Sequence, residues 1–150
     1  DAFFQSPTAR FGDDVMAAFP SAEEDVREAA RCFALERYTA CVFHCMRILE
    51  TGLAQLGRAL ALEPATNWNN ALNQIEKEIR SRNIATHGAA WKKDEAFFAE
   101  AATHFRAVKN AWRNHTMHGR EAFDEDRSKI VFESTAALMR HLSERLSENE

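Results

Sequence analysis

The strongest constraint on this chain is an apolar seam in which Leu35, Val42, Met46, Leu49, Leu53, Leu56 and Leu60 recur at intervals of seven, four, three, four, three and four. Steps of three and four return to one face of a 3.6-residue turn but would scatter over both faces of a strand. The seam therefore fits a helix laid against other helices. Ahead of it, Ser21-Ala22-Glu23-Glu24 reads as a capping box, with the Ser21 oxygen and the Glu24 carboxylate meeting the free amides of a helix start. One helix from Ser21 to Leu62 would be about 60 Å long at 1.5 Å per residue, so a bend or break is expected near Glu36 to Tyr38.

Beyond the seam, Glu63-Pro64-Ala65-Thr66-Asn67 supplies a stop and a new cap, and Trp68, Leu72, Ile75 and Ile79 repeat the helical spacing to an end near Asn83. The stretch from Ile84 to Lys93 contains Gly88, lacks periodicity and is expected to be a loop. A third helix is expected from Asp94 to about Trp112, with Ala101, Phe105, Val108 and Trp112 as its apolar stripe and Gly119 as a terminator. Val131, Leu138, Leu142 and Leu146 mark a final helix, after which the polar stretch from Ser143 to Glu150 is expected to fray. The fold class is all-α, an antiparallel four-helix-bundle-like architecture with extra short helices. Residues 1–20 form an aromatic-rich segment, with Phe3, Phe4, Phe11, Phe19 and a short helix from Asp13 to Ala18, packing on a helical domain of residues 21–150.

With 150 residues the chain is large enough for one core without disulfides or a structural metal. It opens on Asp1 rather than Met, the mark expected of a piece of a longer polypeptide. Cys32, Cys41 and Cys45 are an odd set in one helical stretch, which predicts reduced thiols and a cytoplasmic setting. Cys41 and Cys45 stand one turn apart around His44, but no second cluster completes a ligand set, so they read as small buried residues. No apolar run reaches the roughly 20 residues that span a bilayer, so no membrane partner is expected.

A net charge of -4 argues against binding nucleic acid through the whole surface. The charge is uneven, however: Ala101 to Arg120 holds Arg106, Lys109, Arg113 and Arg120 and no acid. Arg106, Lys109 and Arg113 fall in one narrow sector of a helix, a basic ledge beside the apolar stripe. That ledge runs into Arg113-Asn114-His115-Thr116-Met117-His118. A guanidinium suits phosphate oxygens, and an imidazole exchanges a proton near neutral pH. RNA carries its own nucleophile, the 2′-hydroxyl, so cleavage needs only deprotonation, in-line orientation and charge stabilisation. In this reading Arg113 clamps the phosphate, His118 accepts or orients the hydroxyl proton, and Asn114 or Thr116 donates a further hydrogen bond. Arg106, Lys109, His115, Thr116 and Arg120 are the candidate RNA-binding groups, and no metal or cofactor is expected.

Arg113-Asn114-His115-Thr116-Met117-His118 resembles the R-x-x-x-x-H motif of HEPN domains. Phe19-Pro20-Ser21-Ala22, Arg37-Tyr38-Thr39-Ala40 and Val42-Phe43-His44-Cys45-Met46-Arg47 extend the resemblance to bacterial HEPN-like proteins across most of the chain. His115 departs from it, since similar sequences often have Pro there. The resemblance implies a four-helix bundle with the motif near the end of a core helix. It also implies a homodimer whose two copies of Arg and His share one ribonuclease cleft, with a toxin–antitoxin or phage-defence role and an antitoxin or regulatory protein as partner. Geometry agrees on one point: five positions on an unbroken helix separate Arg113 and His118 by roughly 140°. Either the helix breaks between them or a two-fold axis pairs the Arg of one chain with the His of another.

Two other readings compete. Arg113 and His118 could serve only as a surface cation and a helix-end group in a non-catalytic dimerisation or nucleotide-binding module. His115, His118 and Glu121 could contribute to a zinc site, although a short His pair without further matched ligands is a weak signal. Arg47 and Glu50 are polar beside the apolar seam and are candidates for an ion pair at the cleft.

Overall fold

The computed structural model describes residues 8–118 and 123–149, with side chains for residues 8–112 and 123–149. Seven α-helices are present among them: α1 (Asp13–Ala18), α2 (Glu23–Ala34), α3 (Tyr38–Ala59), α4 (Trp68–Ser81), α5 (Ile84–His87), α6 (Trp91–His118) and α7 (Glu125–Ser143). No strand occurs among the described residues. The fold is all-α. Helices α3, α4, α6 and α7 close a ring in which each packs on the next, and α2 and α1 lie along its α3 and α7 side.

The seam occupies the centre. Val42, Met46, Leu49, Leu53, Leu56 and Leu60 are buried, together with Phe105 of α6 and Phe132, Leu138, Met139 and Leu142 of α7. Leu35 is the exception at 71% exposed. It lies outside both helices, because the expected break falls at residues 35–37. There the Arg37 amide donates to the Cys32 carbonyl at 2.7 Å and the Glu36 amide to Phe33 at 3.0 Å, with Glu36 at φ 59°. This is the Schellman closure of a helix end, in which the left-handed residue satisfies carbonyls that would otherwise be orphaned. The end of α3 repeats it: Leu62 bonds back to Gly57 and Ala61 to Arg58, with Ala61 at φ 58°.

Three sequence expectations need correction. Ser21 does not cap α2; it sits in a 3-10 turn (Pro20–Ala22), and its amide and hydroxyl donate to the Glu148 carboxylate at 3.0 and 2.6 Å. The last residues are not frayed, for the Glu148 amide donates to the Ala18 carbonyl at 2.8 Å and the Asn149 side chain to Ala17 at 2.9 Å. Residues 84–93 are not a loop. Asn83 and Thr86 form a reciprocal capping box that starts α5, and Gly88, at φ 80°, ends it.

Part of the N-terminal aromatic segment is described. Phe11 and Phe19 are fully buried, and Phe11 meets Phe132 edge-on at 5.5 Å between centroids. Phe3, Phe4 and Gly119 lie outside the described residues.

Candidate functional site

Helix α6 begins three residues before the expected Asp94, because Trp91 is buried and stacks on Phe98 one to two turns later. It then continues past Trp112 through His118 without a break. The whole Arg113–His118 motif therefore lies on regular helix. Positions 113 and 118 stand about 140° apart around its axis, and a break in the helix is not what relates them. The side chains of Arg113, Asn114, His115, Thr116 and His118, and Arg120 and Glu121 altogether, lie outside the described residues.

The basic ledge that leads to the motif is only partly a ledge. Arg106 is half-buried against α4, donating to Glu76 at 2.6 Å and to Asn73 at 3.0 Å. Its charge is paired within the bundle, whereas the sequence reading offers it to RNA. Lys109, one turn on, lies 3.4 Å from the Asn69 side-chain oxygen. Trp112 is not fully covered as the apolar stripe implied; it is 37% exposed.

Trp112 and Lys109 border a groove of about 550 Å³ whose other walls are Met46 and Glu50 of α3 and Asn67, Trp68, Asn69 and Asn70 at the start of α4. A second groove of similar volume continues from Glu50, Asn67 and Trp68 along the α3–α4 connection. The local sequence explains the walls. Asn67 caps α4 by accepting the Asn70 amide at 2.9 Å, and Trp68 packs edge-on against Phe105 of α6 at 6.0 Å. The groove next to position 113 thus offers two indoles, three side-chain amides, an ammonium and a carboxylate. Aromatic faces with amide donors suit a planar, hydrogen-bonding ligand such as a nucleobase. Sequence reasoning named Lys109 and Glu50 here but not the Asn67–Asn70 wall, whose only visible signal was its role as a helix start.

A second cluster lies between α2 and α3. The His44 Nδ1 is 2.8 Å from Asp25, and the same carboxylate accepts the Arg47 Nε at 3.0 and 3.2 Å. Arg47 thus forms an ion pair, with Asp25 rather than at the groove. Glu28, Cys32 and His44 each bring one donor atom to within 4.8 Å of the others. Burial, then the Glu28 charge, pushes the Cys32 thiol up from its ordinary value of 9.0. Cys41 and Cys45 take no part, being fully buried. A hydrogen bond to Cys41, followed by burial, pushes Cys45 well above its ordinary value, in keeping with the core role expected of it.

No helix among the described residues is long and apolar enough to cross a membrane. No family model, no curated protein and no solved structure matches the chain.

Proposed function

We propose that the protein is a homodimeric endoribonuclease in which Arg113 of one protomer and His118 of the other act on one phosphodiester. The observation that carries the reading is the unbroken course of α6 through both positions, which separates them around the axis and favours pairing across a two-fold axis over pairing within one chain. The resemblance of residues 113–118 to the HEPN motif and the all-α ring support it. In this mechanism His118 takes the 2′-hydroxyl proton, the 2′-oxygen attacks phosphorus, and the bond to the 5′-oxygen breaks as that oxygen takes a proton from water. Arg113 holds the phosphoryl oxygens as charge builds, and Asn114 adds a donor. His115, Thr116 and Arg120 grip the backbone, while Lys109 and Trp112 line the groove where a neighbouring base rests. The products carry 2′,3′-cyclic phosphate and 5′-hydroxyl ends, and the chemistry needs no metal. A role as a toxin or phage-defence effector, held in check by an antitoxin, is the biological setting that this activity fits.

The test is cleavage of single-stranded and structured RNAs in EDTA. Arg113→Ala and His118→Ala should each lose activity by at least a hundredfold, the scale of a lost acid–base or oxyanion group. Mixing the two inactive variants should restore cleavage, because one heterodimer then holds an intact Arg and an intact His facing each other. Wild-type cleavage with no restoration on mixing would overturn the composite site, and no cleavage of any RNA would overturn the nuclease.

One observation favours the non-catalytic alternative. Arg106 is committed to Glu76 and Asn73, which leaves a smaller positive surface for a polyanion. In that reading the Trp68–Trp112 groove binds a nucleotide, and alanine at 113 and 118 changes no rate.

A further inference from the structure

We propose that Glu28, Cys32 and His44 bind one zinc-class divalent cation, with Asp25 orienting the imidazole from behind. This goes beyond the nuclease reading, uses neither residue 113 nor residue 118, and departs from the sequence expectation of no metal.

The pairing of α2 with α3 builds the site. Asp25, Glu28 and Cys32 stand at i, i+3 and i+7 on α2, a single stripe, and the tight Leu35–Arg37 connection folds α3 back so that His44 meets that stripe. The three donors are a carboxylate oxygen, a thiol sulfur and an imidazole nitrogen, all within 4.8 Å of one another. Around a tetrahedral zinc, ligand bonds of about 2.0–2.3 Å place neighbouring donors about 3.3–3.6 Å apart, so closing on the ion asks each side chain to move by an ångström or so. All three are half-buried, placed at the edge of the helix pair where an ion can enter and where rotamers can adjust.

The second observation is independent of the donors. Asp25 accepts from His44 Nδ1 at 2.8 Å and is itself held by Arg47, an arrangement that fixes the ring and leaves Nε2 as the nitrogen available to a metal. A carboxylate behind a metal-bound imidazole is the usual second support of such sites. The sulfur selects among cations: a thiolate favours zinc over magnesium or calcium. Two charges oppose binding. Arg31 is paired with Glu28 on the solvent side, and Arg37 acts on Cys32. Arg31 is 60% exposed, so it can release the carboxylate to water at little cost. Three protein donors leave a fourth position for water or an incoming ligand.

The experiment uses the full chain, stripped with chelator and titrated with zinc or cobalt. One equivalent should bind, and cobalt should show the near-ultraviolet absorption of a thiolate bound to it. Zinc should protect Cys32 from alkylation as mapped by mass spectrometry, a readout that needs no variant. Cys32→Ser should abolish the cobalt band, and Asp25→Asn should weaken zinc by 10- to 100-fold. The His115→Ala/His118→Ala protein should bind as wild type, which separates this site from the alternative at those histidines. Absence of stoichiometric uptake, an unchanged cobalt band in Cys32→Ser, or alkylation of Cys32 at the same rate with and without zinc would each overturn the proposal.

Discussion

Arg82 shows how much one side chain can tie together. It sits just past the end of α4, donates to Glu78 at 3.1 Å and to the Leu60 carbonyl at the end of α3 at 2.9 Å, and lays its guanidinium over Trp91 of α6 at 5.2 Å. Its side chain is 14% exposed, so water replaces these contacts poorly. Arg82→Ala should lower unfolding free energy by about 2 kcal/mol, from lost charge-assisted hydrogen bonds and a cation–π contact. Arg82→Lys should recover only part, because an ammonium lacks the planar fork that serves carbonyl, carboxylate and indole together. Urea denaturation of the two variants checks this. The i,i+4 spacing to Glu78 is visible along the chain, but Leu60 and Trp91 are joined to Arg82 only by the fold. The burial of Phe11 and Phe19 was legible, because large aromatics among polar residues have few other places to go.

Among elements, α3 and α7 approach closely at Gly52. A Cβ placed there would lie 2.8 Å from both Leu142 Cδ1 and Met139 Sδ, atoms of fully buried side chains. Gly52→Leu should therefore destabilise by about 2 to 3 kcal/mol through overpacking. Gly52→Ala should cost less, because a helix-propensity gain of about 1 kcal/mol opposes the clash. Thermal melts of both variants give the comparison. The seam made α3 legible because its period is a property of consecutive residues. The helix ends were harder to read. Glu36 and Ala61 occupy left-handed positions where glycine is usual, so the stops carried no glycine signal. The start of α6 was hidden because burial of Trp91, rather than a capping residue, draws the first turn into the helix.

At the scale of the whole molecule, the two ends of the described chain close on each other. Glu148 does from far along the sequence what the Ser21–Glu24 capping box was expected to do locally: it brings a carboxylate to the amide at a helix entrance. Glu148→Ala should cost about 1 kcal/mol and speed amide exchange in the first turn of α2, read by hydrogen exchange, while Glu148→Gln should retain part of the protection. The candidate sites divide along the same line. Positions 113 and 118 stood out as candidates because a motif is contiguous. The groove beside them draws on α3, α4 and α6, and the Asp25–His44 contact depends on how two helices register, which spacing within either helix does not contain.

The same closure bears on the order of assembly. A chain growing from its amino end cannot latch Ala17, Ala18 and Ser21 until Glu148 and Asn149 emerge, whereas α2, α3 and α4 have near neighbours to pack on long before. The entrance to α2 therefore closes only after the helices that follow it have been made.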